Sequence, residues 1–471
     1  MRKTIFLVLG VAIITSVVYG IYFRGQAPAA PPAGKHVLLV TLDTMRADRL
    51  GCYGYPRPTS PNLDEFASDS VLFHFAIAQA AVTPVSHASI LTGKDPYNHG
   101  LRVLHGVRGN ELDEGSETLA EVWKKTGGLT AAFISAYTAG PVFGLAQGFD
   151  QFEPRYPEEE TADYISDRGV VNAPVASQRR AQDTTDKAIG WLRKHTRKGK
   201  QLFMWVHYFD PHDSNLLPPD AFMEEHLKTF RRKSPRSEDD KLREIYDAEV
   251  LYMDLHIGRL FDELKTQGIW DETVVVVVAD HGEGLGDHNW WSHGILYQEQ
   301  IHVPMIMRVP GVPPRRLRPL VRTIDLAPTI LDAAGVDPSV WPAMDGKNLM
   351  DAARTGSSAD ELLAYADSVN LTGYAWPRSS EKRNKKYDKL YCLMDTRHKL
   401  IYHQLNPEKT EFYDLQADPG ELKNLAASEP DAMKQLVEQL KGMDAFSDIM
   451  PVVNDEELER VKRLKSLGYV Q

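Results

Sequence analysis

Asp43 closes the apolar run "HVLLVTLD" (36–43), and Asp280 closes "TVVVVVAD" (273–280) with His281 beside it. Thr83 opens "TPVSHASILTG" (83–93), which reads as a short helix. Asp43, Thr83, Asp280 and His281 offer three oxygens and one nitrogen. That mixed set suits one divalent cation, whether zinc, manganese, magnesium or calcium, without selecting among them. A hydroxyl beside such a cation ionises more readily and becomes a nucleophile. A helix start adds unpaired backbone N–H groups and the positive dipole end, which suit a tetrahedral anion such as phosphate or sulfate. On its own, a Thr-Pro pair before an apolar run is a turn or a cap. The acids shift that reading, because a third one, Asp210, also ends an apolar run, "LFMWVHYFD" (202–210).

Continuous β-branched runs of this length are expected as strands buried on both faces, hence a central, mostly parallel sheet between helices. Open α/β sheets bind ligands beyond the carboxyl ends of their strands, where these acids would lie. Helical patterns fall at Glu117–Lys125, Ala181–His195 and Glu244–Thr266. The polar stretches 153–180 and 220–242 read as surface insertions, the second running into a helix. Beyond Arg354 the pattern changes: "LLAYADS", "KLYCLMDTRHKLIYHQL" and "TEFYDL" read as an antiparallel sheet, with helices in "PDAMKQLVEQLKGM" and "DEELERVKRLKSLGYV". The expected organisation is an N-terminal segment (1–34), a catalytic α/β domain (35–353) and a small C-terminal α+β subdomain (354–471).

Of the 54 basic residues, Arg2, Lys3 and Arg24 fall in the first 34, which hold none of the 65 acids. The remainder is strongly acidic, which excludes nucleic acid as a partner, since phosphate-backbone binding needs a basic face. Cys52 and Cys392 are the only cysteines, so neither a disulfide framework nor a thiolate zinc site is expected. Arg2 and Lys3 precede an uncharged run, Thr4–Phe23, and then a Pro/Ala linker, "APAAPPAG". This reads as an inner-membrane anchor, or a cleaved signal, with residues 35–471 extracytoplasmic and, in a bacterium, periplasmic.

The wording of several segments goes further. "TLDTMRADRLGCYGYPRPTSPNLDEFA" (41–67), "TPVSHASILTGKDPYNHG" (83–100), "HYFDPHD" (207–213) and "ADHGEGLGDHNWWSHG" (279–294) resemble the sulfatase family of the alkaline phosphatase superfamily. "IHVPMIMRVPG" (301–311), "TIDLAPTILDAAGV" (323–336) and "TEFYDLQADPGELKNLA" (410–426) resemble its later sheet and C-terminal subdomain. The resemblance runs in order over 36–471. It implies an alkaline-phosphatase-like α/β sandwich around one metal-centred active site, acting on sulfate or phosphate esters.

Carried over by position, Asp43 matches the family's first metal aspartate, while the second position is Thr44. Asp280 and His281 match the later metal pair, although many sulfatases have Asp-Asn there. Thr83 stands at the Cys or Ser of the C/S-x-P-x-R motif, the residue oxidised to formylglycine, and His87 stands at its arginine. The motif's proline is displaced to Pro84, with Val85 in its place. "DPH" supplies Asp210 and His212 as substrate contacts. "SHG" supplies His293 as a contact or leaving-group acid, with Ile295 where a lysine is common. The "GKWHLG"-type segment is absent; "AAFISAYT" (131–138) stands there. His207 is expected to pack at its strand end, His99 to be structural, and His105 and His195 to lie on the surface. Asp287 and His288 are possible rim contacts, and Trp290 and Trp291 either a core pair or an aromatic wall.

Formylglycine acts as a hydrate whose second hydroxyl expels sulfate. Threonine has no second hydroxyl and cannot be converted. A phospho-threonine, by contrast, is resolved by in-line attack of water or another alcohol, so these residues favour phosphoryl over sulfuryl chemistry. Two alternatives stand beside this: a sulfatase proper, and a sulfatase-fold binding protein without turnover.

Overall fold

The computed structural model describes residues 34–102, 111–153, 161–166, 169–174, 178–196, 199–212, 217–230, 237–357, 362–368, 388–428, 430–443 and 445. The run 4–23, His105 and the helix expected at 456–466 lie outside these. Among the described residues, no helix is long and apolar enough to cross a membrane.

Ten strands precede the C-terminal sheet: β1 (His36–Leu42), β2 (Val71–Ile77), β3 (Leu129–Ile134), β4 (Gln151–Glu153), β5 (Thr161–Ser166), β6 (Gly169–Pro174), β7 (Leu202–Tyr208), β8 (Thr273–Ala279), β9 (His302–Arg308) and β10 (Arg315–Arg322). Eight of them form one sheet in the order β10-β2-β9-β8-β1-β7-β3-β4. Its pairings are parallel except at β9, which runs antiparallel to both β2 and β8. Every residue of β1, β7 and β8 is buried. Side chains alternate between faces along a strand, so burial of all of them means that the sheet is covered on both sides.

Two helix groups meet the sheet. Helix Ala181–His195 packs against the long helix Glu238–Thr266, which also meets Pro61–Ser68; helix Thr83–Thr92 meets Leu326–Ala333. The long helix starts six residues before the expected Glu244, because Ser237 and Asp240 form a reciprocal capping box there. A further helix, Asp220–Phe230, occupies part of the stretch read as an insertion, and the other stretch contains the β5–β6 hairpin. Gly93 ends the Thr83–Thr92 helix at φ +67°, and a Cβ there would meet Ala327 Cβ and Met344 Sδ at 3.0 Å, so glycine is required.

The C-terminal sheet is antiparallel: β11 (Ala364–Ser368), β12 (Leu390–Met394), β13 (His398–His403) and β14 (Glu411–Asp414). One face carries Tyr365, Tyr391, Leu393, Leu400 and Phe412 against Leu436 and Leu440 of helix Asp431–Lys441. The other carries Ala366, Cys392, Met394 and Ile401 against Ile77, Ala81 and Leu320 of the main body. The two sheets thus form one continuous core contact through ordinary strand alternation.

Register decides where chemistry can occur. Leu42 of β1 pairs with Tyr208 of β7 on one side and with Ala279 of β8 on the other, all parallel. The next residues, Asp43, Phe209 and Asp280, therefore emerge level at one edge of the sheet.

Candidate metal-centred active site

Asp43 and Asp280 are fully buried, as are Thr83, His87, His207 and His281. Donor atoms of Asp43, Asp280 and His281 all lie within 4.8 Å of one another. Helix Thr83–Thr92 brings Thr83 to them: its Oγ1 donates to Asp43 Oδ2 at 3.4 Å and lies 3.4 Å from His281 Nε2. Ser86 of the same helix donates to the Asp280 carbonyl at 2.6 Å, fastening the helix to the end of β8. The N-cap residue, Val82, offers no side-chain acceptor and Pro84 carries no N–H, so no side chain caps the helix start that Thr83 opens.

The donor set fits a divalent cation. Among the described residues, Asp43 Oδ1, Asp280 Oδ2 and Thr44 Oγ1 are buried with no hydrogen-bond partner, which a bare apolar interior would penalise. His281 Nδ1 lies 2.9 Å from the Gly282 carbonyl and donates to it, which leaves the Nε2 lone pair facing Asp43, Asp280 and Thr83. Burial raises both carboxyl pKa values well above normal, Glu283 adding to Asp43 and Asp43 to Asp280. Burial, then the charge of His293, lowers His281. An inserted cation reverses each of these penalties.

Thr44, at the second aspartate position of the resemblance, is held at φ +51°, a left-handed conformation unfavourable for a β-branched residue. Its N–H donates to Asp280 Oδ1 at 3.2 Å and its carbonyl accepts from Tyr246 Oη at 2.8 Å, which hold it there.

The structure distributes the remaining candidates differently. His87 Nδ1 donates to the Thr83 carbonyl at 2.8 Å, and its Nε2 accepts from Thr41 at 3.0 Å, so both nitrogens serve to hold the first helical turn. His293 Nδ1 lies 3.4 Å from Glu283 Oε2, and its ring stands 4.6 Å from His281 and 4.9 Å from His212. Those rings form one histidine cluster, with His212 stacked on Phe209 at 4.2 Å. Asp210 is buried, and its Oδ1 accepts from Ala181 N at 3.0 Å, which anchors helix Ala181–His195.

Sequence reasoning missed two contributors. His207 accepts at Nδ1 from Ser135 N and therefore donates from Nε2 to Asp43 Oδ2 at 3.1 Å. Its only signal was its place on a strand three residues before Asp210. Arg46 donates to the carbonyls of Glu283 and Gly284 and pairs with Asp287 at 2.8 Å, holding the loop after His281. Asp287 thus faces Arg46, and His288 stacks on Tyr297 at 3.8 Å and meets Glu299 at 2.9 Å. Trp290 donates to the His293 carbonyl. His99 hydrogen-bonds Ser89 and the Leu101 N–H, a structural role.

The family model described as "Sulfatase" matches residues 35–336. The chain belongs to the sulfatase family. That places it among the ester hydrolases of the alkaline phosphatase superfamily. A second model, "N-sulphoglucosamine sulphohydrolase, C-terminal", matches residues 286–445 of this sulfatase-family chain. Human iduronate 2-sulfatase is 25% identical over 556 aligned residues, covering 93% of this chain and 97% of its own length. Two solved structures share the fold. One, an enzyme in complex with its substrate D-glucosamine-2-N,6-O-disulfate, has a TM-score of 0.70 at 20% identity, over 90% of this chain and all of its own. The other, phosphonate monoester hydrolase of Agrobacterium radiobacter, has a TM-score of 0.64 at 22% identity, over 88% and 95%.

Proposed function

We propose that this sulfatase-family chain is a metal-dependent phosphate-ester hydrolase or transferase with Thr83 as nucleophile. The observation that carries the reading is Thr83 Oγ1, 3.4 Å from both Asp43 Oδ2 and His281 Nε2 at an uncapped helix start. A divalent cation held by Asp43, Asp280, His281 and Thr83, with manganese, zinc, calcium and magnesium all compatible, supplies Lewis acidity at the Thr83 hydroxyl.

Thr83 Oγ1 attacks phosphorus, its proton passing to Asp43 Oδ2 as the bond to the leaving oxygen breaks. His293, oriented by Glu283, gives that oxygen a proton. His212 and the N–H groups of the helix start hold the non-reacting oxygens, while His87 keeps the Thr83 carbonyl in place and Asp210 anchors the His212 turn. In the second displacement water or another alcohol attacks phosphorus and gives its proton to His293. The bond from phosphorus to Oγ1 breaks as Asp43 Oδ2 returns its proton, which restores the Thr83 hydroxyl. A single threonine hydroxyl suffices for these two displacements, whereas expulsion of sulfate from a formylglycine hydrate needs two.

Sulfate-ester hydrolysis is the second reading. It is favoured by the family and by the names of its relatives, an iduronate 2-sulfatase and an enzyme acting on a disulfated glucosamine. For localisation, the uncharged run 4–23 behind Arg2 and Lys3 supports an extracytoplasmic, membrane-anchored enzyme, periplasmic in a bacterium.

The test is turnover by the full-length chain loaded in turn with manganese, zinc, calcium and magnesium. Aryl phosphate mono- and diesters are compared with an aryl sulfate, and Thr83→Ala is run alongside. Phosphoester turnover reduced about a thousandfold or more in Thr83→Ala, with an unchanged melting temperature, is expected. Full turnover by Thr83→Ala removes the nucleophile, and turnover of the sulfate alone selects the second reading.

A further inference from the structure

The loop after His281 is strained and does not hold itself. Among the described residues, five non-glycine residues lie at positive φ. Leu285, His288 and Asn289 are in this loop, Glu421 is a partner of His288, and Thr44 is at the metal site. A residue with a Cβ keeps that conformation only where its surroundings impose it. We infer that His288 is a positioning residue for His293, tying the loop to the C-terminal sheet only while both of its ring nitrogens carry protons. The inference rests on the proposed role of His293 as leaving-group acid and deepens it.

The contacts call for both protons. His288 Nδ1 lies 2.9 Å from Glu299 Oε1, and Nε2 lies 3.2 Å from the Glu421 carbonyl oxygen. A carboxylate and a carbonyl both accept, and a neutral imidazole has one N–H, so only the imidazolium satisfies the pair. The Tyr297 ring, parallel at 3.8 Å, fixes the plane of the histidine. Charged groups face His288 from each neighbouring element. Glu299 comes from helix Gln298–Ile301, Glu421 follows β14 with its carboxylate paired to Lys399 of β13, and Asp287, beside it in the chain, is held by Arg46. One step further, Glu411 of β14 accepts from Tyr297 Oη and faces His403, whose other nitrogen meets Asp388 at 2.9 Å. Burial pulls the His288 pKa down, but the hydrogen bond and charge of Glu299, with Glu421, outweigh it and hold it above its ordinary 6.5. The tie is therefore made at lower pH and lost as pH rises through the raised value. Nδ1–H faces a carboxylate and is the stronger donor, so the proton leaves Nε2, and a lone pair then opposes the Glu421 carbonyl.

The tie reaches His293 through the loop's own bonds. Gly286 N donates to the Trp290 carbonyl and Gly284 N to the Ser292 carbonyl, each at 2.9 Å. His288 thus stands at the tip of a closed turn whose base adjoins His293. At that base Trp290 Nε1 donates to the His293 carbonyl, and Glu283 faces the His293 ring. Arg46 holds the carbonyls of Glu283 and Gly284, and Arg243 holds that of Leu285. Both guanidiniums stay charged, so they fasten the loop to the main body whatever the pH. The tie through His288 to the C-terminal sheet does not share that independence.

The test is amide exchange of residues 284–294 in the full-length, metal-loaded chain, read as protection factors at about pH 6 and about pH 8.5. Protection in the parent is expected to fall about tenfold or more between the two, the effect of one charge-assisted hydrogen bond. His288→Asn, which tolerates the left-handed backbone and has no proton to lose, is expected to be poorly protected at both values. His288→Arg, charged at both, is expected to stay protected at both. Protection independent of pH in the parent overturns the proposal. So does a pH dependence that survives in both His288 variants and vanishes in His403→Asn. Turnover then separates positioning of His293 from general loosening, using phenyl and 4-nitrophenyl esters of whichever acid the chain releases. At about pH 6, His288→Asn is expected to lower kcat about tenfold for the phenyl ester, whose leaving oxygen needs a proton, and about twofold or less for the nitrophenyl ester. Equal losses on the two esters overturn the positioning role, provided that His293→Ala still discriminates between them. Equal losses in His293→Ala as well remove the acid reading of His293, while the exchange result, which needs no turnover, still decides the tie.

Discussion

At the scale of single residues, burial moves the titration of the site's groups away from their ordinary ranges, down for histidine and up for aspartate. His207 is pushed down to about 3 by burial, so its ring is neutral wherever the protein is folded and serves to hold Asp43, not to transfer a proton. Asp210 is the opposite case: burial pushes its carboxyl up to about 7 from 3.8. A carboxyl whose folded value is raised favours the folded state while protonated, and that contribution is lost as pH rises through about 7. Asp210→Asn keeps the acceptor for the Ala181 N–H and removes the charge. It is therefore expected to match the parent chain in stability near pH 4 and to exceed it by a few kcal/mol (order of magnitude) at pH 8, measured by urea unfolding at both values. Equal stability at pH 8 would show that Asp210 ionises without penalty, as an exposed substrate contact would. Asp43, Asp280, His281 and Thr83 were legible in the sequence because each ends or opens an apolar run. His207 was not, since a histidine inside a strand looks like core until the register sets β7 beside β1.

At the scale of elements, the valine and leucine runs of β1 and β8 and the mixed aliphatic and aromatic run of β7 declare strands buried on both faces, and parallel order then levels their ends. The antiparallel course of β9 and the β5–β6 hairpin were not legible, because partner and direction depend on contacts distant in the chain. Nor did composition show what the C-terminal sheet does. Ser368, the last residue of β11, donates to the Gly294 carbonyl at 2.6 Å, directly after His293, where Gly294 adopts φ +103°. Glu421 accepts from Gln298 N at 2.6 Å and is paired with the buried Lys399 at 2.6 Å, while Tyr297 donates to Glu411 at 2.7 Å. The small sheet thus clamps the segment that carries the proposed leaving-group acid. Removing one such bond costs about 1 kcal/mol of positioning. Ser368→Ala is accordingly expected to lower kcat about fivefold while metal affinity, measured by calorimetry, stays constant. A fall in metal affinity instead would place the role of Ser368 at the ligands and not at His293.

At the scale of the whole molecule, folding itself carries an electrostatic cost that a cation offsets. Asp43 and Asp280 are both fully buried, and each carboxyl is raised by burial and then by a neighbouring acid. In the metal-free chain these raised values favour the protonated, folded form, so their contribution is lost as pH rises above the ordinary carboxyl range. In the resting enzyme a bound divalent cation keeps both ionised and removes that dependence, stabilising the fold by about 4 kcal/mol when present at a thousand times its dissociation constant. Chelation is therefore expected to lower the melting temperature by several degrees at pH 8 and by much less near pH 4, read by calorimetry with and without chelator. A pH-independent difference would mean that the cation binds elsewhere. Asp43→Asn/Asp280→Asn separates the two causes. It removes the buried charges along with the ligands, so its metal-free form is expected to melt above the metal-free parent at pH 8 and to gain nothing from added cation. His281→Ala, which removes a ligand but leaves both carboxylates, is expected to lose the gain from cation without that rise.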